Sequence, residues 1–153
     1  MVRLKTTCVG FTGTRRGLTA EQHTSLRAYL SEKMSRMSVF HHGCCVGADA
    51  AAAALVAEVL PTVVIEAHPC TIRSMTDAAS IRLSTVIHPT APPLDRNKTI
   101  VDRSDILIAC PGGPNEERRS GTWYTVRYAR RTGKPITFVW PDGSCTNHIV
   151  ART

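Results

Sequence analysis

Three glycine-bearing turns hold the residues best suited to bind an anion. They span residues 12–17, 43–49 and 111–122, and each follows an apolar run and precedes a helical stretch. If the runs are parallel strands, the turns gather at the carboxyl ends of those strands, where open α/β folds bind ligands. Glycine lets the backbone approach a ligand, and a helix N-terminus offers free N–H groups and partial positive charge. Two turns add arginine, so we expect a nucleotide or a piece of nucleic acid.

The ligand-binding residues that we predict come from these turns and from the segment before residue 100. Ser120 and Thr122 open the last long helix, where they could hold a phosphate or simply cap the helix. Asp49 is placed to cap the second helix or to bind ribose hydroxyls. The full predicted set is Thr12, Gly13, Thr14, Arg15, Gly43, Gly47, Asp49, Arg96, Asn97, Gly112, Gly113, Ser120, Gly121 and Thr122.

Few residues suggest catalysis. Glu116 and Glu117, the carboxylates of the 111–122 loop, are weak catalytic candidates, since adjacent glutamates on a loop are usually just solvated. The sequence contains no G-x-S-x-G nucleophile motif, no G-x-G-x-x-G fingerprint and no G-x-x-x-x-G-K-[ST] loop. These absences argue against a serine hydrolase, against standard NAD(P) binding and against a P-loop NTPase.

Six cysteines raise the question of a metal site. His41, His42, Cys44 and Cys45 form the densest group of potential ligands, but their spacing is not that of the common structural zinc sites. Cys8 and Cys110 lie in apolar runs, where free cysteine behaves as a small hydrophobe. We therefore predict reduced cysteines with structural roles, no metal and no cofactor.

The composition is that of a basic globular protein. The 153 residues are 42% hydrophobic and 20% charged, with a net charge of +7, which favours anionic partners. No apolar run approaches the roughly 20 residues of a membrane span, and no signal peptide is recognisable. We expect a cytoplasmic protein with no membrane partner.

Strands and helices alternate along the chain. Strands are predicted at 7–12, 38–42, 62–67, 84–88, 106–110 and 135–140, whereas 72–80 reads equally as a short helix or an irregular segment. This alternation predicts an α/β fold, a Rossmann-like three-layer sandwich with a mostly parallel sheet and helices on both faces. We assign residues 1–153 to one such domain and expect the tail at 141–153 to be irregular or to act as a docking arm.

Taken in order, the motifs resemble those of the SLOG superfamily, which groups DprA with the LOG-type phosphoribohydrolases. Residues 13–15 are similar to the family's G-S-R turn, and residues 42–49 to the S-G-x-A-x-G-I-D turn of DprA. Residues 96–105 resemble the R-N-R…S-D segment, and residues 119–129 the S-G-[ST]…A element. The resemblance extends from Val9 to about Val139.

The resemblance implies a Rossmann-like domain that binds nucleotides or nucleic acid, often as a homodimer or higher homo-oligomer. LOG enzymes hydrolyse an N-glycosidic bond with P-G-G-x-G-T-x-x-E. Here an insertion follows Gly113, and Thr125 takes the place of the glutamate. Three hypotheses follow: a module that binds a nucleotide-derived ligand, a LOG-type N-glycosidase, and a DprA-like binder of single-stranded DNA, which the charge and the aromatic Trp123 and Tyr124 permit.

Overall fold

The computed structural model describes residues 6–148 as one seven-stranded sheet with helices packed against it. The strands are β1 (Thr7–Gly13), β2 (Met37–His42), β3 (Val64–Ala67), β4 (Val86–Ile87), β5 (Ile106–Cys110), β6 (Ile136–Val139) and β7 (Cys145–His148). The helices are α1 (Ala20–Lys33), α2 (Ala48–Val59), α3 (Ala78–Arg82), α4 (Pro93–Asp102) and α5 (Gly121–Arg131), and one 3₁₀ turn covers Arg73–Met75. The α/β prediction is therefore confirmed.

The central strands are apolar along their whole length because helices cover both faces of the sheet. In β5, Ile108 and Cys110 point to one apolar cluster, and Leu107 and Ala109 point to another. The first cluster includes residues of α1 and α2, and the second includes residues of α4 and α5. The three layers predicted from the alternation of elements are thus present.

The strand order creates the position for a ligand. The order is β4-β3-β2-β1-β5-β6-β7, and all neighbouring pairs are parallel except β6 and β7. The chain moves outward from β1 to β4 and then returns to place β5 on the other side of β1. The crevice at the carboxyl ends of β1 and β5 is therefore the topological switch point, where such sheets bind ligands.

Helix α1 begins with a capping box. Thr19 Oγ1 accepts from the Gln22 amide at 3.0 Å, and Gln22 Oε1 accepts from the Thr19 amide at 3.0 Å. The buried Gln22 side chain also donates to the carbonyl oxygens of Pro111 and Val139, at 2.8 and 3.0 Å. A cap readable in the sequence thus also holds α1 against the ends of β5 and β6.

The C-terminal tail differs from the prediction of an irregular segment. Residues 145–148 form β7, which pairs antiparallel with β6 after a turn in which Asp142 Oδ1 accepts from the Ser144 amide at 2.9 Å. This edge strand is exposed and polar, so it carries no apolar alternation for a sequence pattern to detect. Residues 149–153 lie outside the described part of the chain. No helix within residues 6–148 combines the length and apolar character of a bilayer span.

Candidate functional site

A cleft of about 510 Å³ lies at the carboxyl ends of β1 and β5, where the strand order predicts it. The structure brings together most of the predicted residues there: Thr12, Gly13, Thr14, Arg15, Asp49, Arg96, Asn97, Gly112, Ser120, Gly121 and Thr122 line the cleft. Gly43, Gly47 and Gly113 do not line it. Two of the three predicted turns therefore form its wall, and the turn at 43–49 reaches it through Cys45 and Asp49.

The first turn is fixed by backbone hydrogen bonds to its neighbours. The Thr14 amide donates to the Cys110 carbonyl at 3.1 Å, and the Ala48 amide donates to the Thr14 carbonyl at 3.0 Å. These bonds join the ends of β1 and β5 to the start of α2. Arg15 and Arg16 follow Thr14 and are exposed at the rim of the cleft.

Gly47 does not line the cleft but positions the turn of residues 43–49 beside it. It is the N-cap of α2, with φ +93°, a conformation that glycine adopts far more readily than other residues. A β-carbon at this position would also collide with the backbone carbonyl of Arg15. Gly47, which we predicted as a ligand-binding residue, therefore has a structural role, since it lets α2 approach the arginine turn.

Asp49 does not cap α2, contrary to our expectation. It lies in the first turn of the helix, and its buried carboxylate accepts from the amides of Gly43 and Cys45, at 3.1 and 3.3 Å. Burial raises the pKa of Asp49 to about 6, although the nearby Arg96 guanidinium and these two amides act in the opposite direction. Asp49 is thus a buried acid at the floor of the cleft.

Arg96 is also buried, and most of its donors are already used. Nη1 donates to the Gly43 carbonyl and, at 2.9 Å, to the His68 carbonyl. Nη2 donates to Cys45 Sγ at 3.4 Å, and Nε donates to Asn97 Oδ1 at 2.8 Å. A β-carbon on Gly43 would lie 2.6 Å from Nη1, so glycine is required there. Arg96, which we predicted as a ligand-binding residue, is therefore mainly a brace between backbone segments, because only one guanidinium N–H remains for a ligand.

The N-terminus of α5 faces the cleft. Ser120 caps the helix, since its Oγ accepts from the Trp123 amide at 3.3 Å and its carbonyl accepts from the Tyr124 amide at 2.9 Å. Within residues 6–148, no protein acceptor contacts the amides of Gly121 and Thr122. Capping and anion binding are compatible here, because different N–H groups serve each.

The two candidate glutamates have different positions. Glu116 lies outside the cleft and accepts from Arg127 and Arg130, at 3.2 and 3.0 Å, which fixes the loop onto α5. Glu117 lines the cleft, where it pairs with Arg16 at 3.6 Å. Thr125 is buried and donates to the Gly121 carbonyl at 2.8 Å. The two glutamates therefore do not lie together at one site, and Arg127 binds the loop.

Part of the lining was not predicted from the sequence. Arg16 and Arg119 lie beside predicted residues in the arginine-bearing turns, so charge in those turns was a usable signal. In the apolar wall only Trp123 had a signal, as an aromatic residue beside the turn at 119–122. This wall consists of Phe11, Met75, Leu94, Ile100 and Trp123. Trp123 contributes to it while packing against Phe138, with ring centroids 5.8 Å apart.

The group of potential metal ligands at 41–45 does not form one cluster. Successive residues of a strand point to opposite faces, so His41 and His42 separate. His42 Nε2 contacts Ser84 Oγ at 2.9 Å, and its ring also accepts from the Cys44 amide. Cys44 and Cys45 are buried free thiols whose pKa values burial raises to about 12 and about 11, so they stay protonated.

Solved structures share this architecture at low sequence identity. The molybdenum cofactor-binding protein of Rippkaea orientalis superposes with a TM-score of 0.65 and 18% identity over 90% of this chain and 78% of its own. DprA from Streptococcus pneumoniae gives 0.66 and 17% over 87% of this chain and half of its own. DprA from Helicobacter pylori, described as binding single-stranded DNA, gives 0.57 and 20% over 86% of this chain and 64% of its own.

The chain shares its Rossmann-like α/β fold with these structures, two of which are DprA proteins. The resemblance read from the four motifs is thus confirmed at the level of the fold. No protein-family model matches the sequence, and no curated protein does. The chain spans half to two thirds of the length of the DprA structures, so their activities extend to it only as proposals.

Proposed function

We propose that the cleft binds a small nucleotide-derived ligand, with its phosphate at the rim. The observation that carries this proposal is the meeting of the first turn with the N-terminus of α5 at one crevice. The unpartnered amides of Gly121 and Thr122 supply N–H donors for phosphate oxygens. The volume of about 510 Å³ falls within the usual range for small-molecule sites.

The charges around the cleft favour an anion. Arg15, Arg16 and Arg119 are exposed at its rim, and of the two carboxylates that line it, Glu117 is paired with Arg16. The other carboxylate, Asp49, is buried at the floor beside the Arg96 guanidinium, so its negative charge is largely balanced within the protein. Positive charge therefore dominates where the phosphate would lie.

The apolar wall suits the rest of such a ligand. Met75, Leu94 and Trp123 line the same cleft as the arginines, so a heterocycle could pack there while its phosphate reaches the rim. That one structural neighbour is described as a molybdenum cofactor-binding protein supports the view that this fold accepts small-molecule ligands. Nucleoside monophosphates are the simplest probes with this combination of groups.

Hydrolysis of an N-glycosidic bond is a second candidate, and one observation favours it. Asp49 is a carboxyl group at the floor of the cleft with a pKa of about 6, which suits a general acid or base near neutral pH. Its two backbone hydrogen bonds also make it a structural residue. Incubation of the protein with each nucleotide, followed by chromatography for free base, tests this activity directly.

The test of binding uses thermal shift and calorimetry with 5′-monophosphates and cyclic nucleotides. We expect a stabilising ligand whose affinity falls about tenfold in Arg119→Gln, the effect of losing one charge-assisted bond. Arg118→Gln is the matched control, because Arg118 is exposed and does not line the cleft. Equal effects of the two substitutions, or no response to any nucleotide, would refute the proposal.

The same experiments separate the remaining hypotheses. Binding of single-stranded oligonucleotides with a steep salt dependence, and no response to mononucleotides, would favour the DprA-like reading. Native mass spectra of the protein with and without ligand measure ligand stoichiometry. The spectra also measure the homodimer that the family resemblance implies.

A further inference from the structure

A second group of chemically active side chains lies away from the cleft, at the ends of β2 and β3. His41 in β2 is in register with Glu66 in β3, and His68 follows Glu66 by two residues. Because side chains two residues apart in a strand share a face, the topology places His41, Glu66 and His68 on one side of the sheet. None of the three lines the cleft.

The three side chains lie close enough to share one ion. His41 Nδ1 is 2.9 Å from His68 Nε2 and 4.0 Å from Glu66 Oε1, and each residue offers a ligand atom within 4.8 Å of the others. In a tetrahedral zinc site, metal–ligand distances near 2.0–2.2 Å place the ligand atoms roughly 3–3.5 Å apart. Small side-chain adjustments would bring the three atoms to that separation.

An outer residue orients the carboxylate. His88 Nε2 contacts Glu66 Oε1 at 2.6 Å, and the His88 ring stacks on the His68 ring with centroids 4.1 Å apart and planes 8° apart. Metal-ligating carboxylates and imidazoles are typically held by such partners. His88 would therefore fix both Glu66 and His68 without itself being one of the three ligands.

We propose that His41, Glu66 and His68 form a binding site for a divalent transition-metal ion, with Zn²⁺ as the preferred ion. Two imidazoles and one carboxylate are a ligand set that suits Zn²⁺ and leaves a fourth position for water. This site replaces our sequence-based expectation of no metal. It also differs from the 41–45 group considered there, because only His41 is common to both.

Two charged neighbours affect the affinity of this site for a cation in opposite directions. The Glu66 carboxylate, whose Oε1 lies 4.0 Å from His41 Nδ1, attracts a cation to this position. The exposed Arg103 is near both imidazoles and opposes a cation. Solvent screens that exposed charge more than the charge of the Glu66 carboxylate.

The site has a structural consequence. β4 contains two residues and β3 four, so the side chains of this cluster add cross-links at a weakly paired edge of the sheet. The His68 carbonyl accepts from Arg96, which lines the cleft. A metal on the His68 ring would therefore restrict the position of Arg96 and stabilise the floor of the cleft, whatever ligand the cleft binds.

The test uses the purified full chain, stripped with a chelator and then titrated with Zn²⁺ by calorimetry and with Co²⁺ by visible absorption. We expect one ion per chain and a rise in melting temperature on adding Zn²⁺. Glu66→Gln should weaken Zn²⁺ binding by at least about tenfold, since even outer-shell changes cost that much. Its amide can still bond to His88, so the metal-free variant should fold as the parent does.

The matched control is His23→Gln, because His23 is an exposed histidine on α1 far along the chain from the cluster. Its Zn²⁺ affinity should equal that of the parent. His68→Gln should abolish the Co²⁺ spectrum. No stoichiometric binding, binding that survives both Glu66→Gln and His68→Gln, or a thiolate charge-transfer band from the cysteines would overturn the proposal.

Discussion

The floor and the rim of the cleft use the same residue types for opposite purposes. At the floor, Arg96 and Asp49 are buried, and their hydrogen bonds go to groups of the protein itself, mainly backbone carbonyls and amides. At the rim, Arg15 and Arg119 are exposed. The comparison shows that a charged residue lining a site is free for a ligand only when the protein has not already used its donors.

The floor charges therefore contribute to the stability of the fold, whereas the rim charges are exposed and accessible to a ligand. A buried arginine stabilises the fold by donating hydrogen bonds to carbonyls that burial has removed from water. An exposed arginine keeps its hydration until a ligand arrives, so its removal costs the fold little. Three substitutions test this division, in order of decreasing effect on stability.

Arg96→Ala should have the largest effect. It leaves the carbonyls of Gly43 and His68 without their donor and removes the positive charge beside Asp49. Removing one member of a buried charged network typically costs about 3–5 kcal/mol of unfolding free energy. Urea denaturation followed by tryptophan fluorescence measures the unfolding free energy. The control is Lys98→Ala, on the same helix. A loss below about 1 kcal/mol would show that Arg96 is not a brace.

Asp49→Asn should change how stability depends on pH. The folded pKa of Asp49 is about 6 against an ordinary value of 3.8, so this group stabilises the fold fully below pH 4, and that contribution is lost as pH rises through 6. At about 1.4 kcal/mol per pKa unit, the loss amounts to about 3 kcal/mol.

The measurement is the difference in unfolding free energy between the parent and Asp49→Asn at several pH values from 4 to 7. Other titrating groups are common to both proteins and cancel in this difference. The advantage of the parent should decrease by about 3 kcal/mol as pH rises and level off above 6. A difference that is constant with pH would mean that Asp49 ionises normally.

Arg15→Gln should have the smallest effect on stability. Arg15 is exposed, so its replacement should change the unfolding free energy by less than about 0.5 kcal/mol. The affinity of the variant for any nucleotide that binds the parent should nevertheless fall about tenfold, because one charge-assisted contact to phosphate is lost. Calorimetry and urea denaturation on the same preparation give both numbers. A large loss of stability would place Arg15 with the floor residues.

The sequence predicted the parts of the fold that depend on local patterns. The apolar runs at 7–12 and 106–110 lie within or coincide with β1 and β5. Thr19 and Ser120 cap helices because a short hydroxyl side chain bonds to amides only two or three residues away. Strand β7 was not predicted. Its exposed polar residues form a strand because they pair with β6, and they show no strand pattern of their own.

For the site, the sequence alone determined where the cleft should lie, because alternating strands and helices place glycine turns together at one edge of a parallel sheet. It could not determine which charges are free. Arg96 and Arg119 look alike in the sequence, and only tertiary packing buries the first against Gly43 and exposes the second. Likewise, only strand register brings His41 to Glu66 and His68. These residues lie at least 25 positions from His41 in the chain, so their contact follows from the arrangement of the strands and not from sequence spacing.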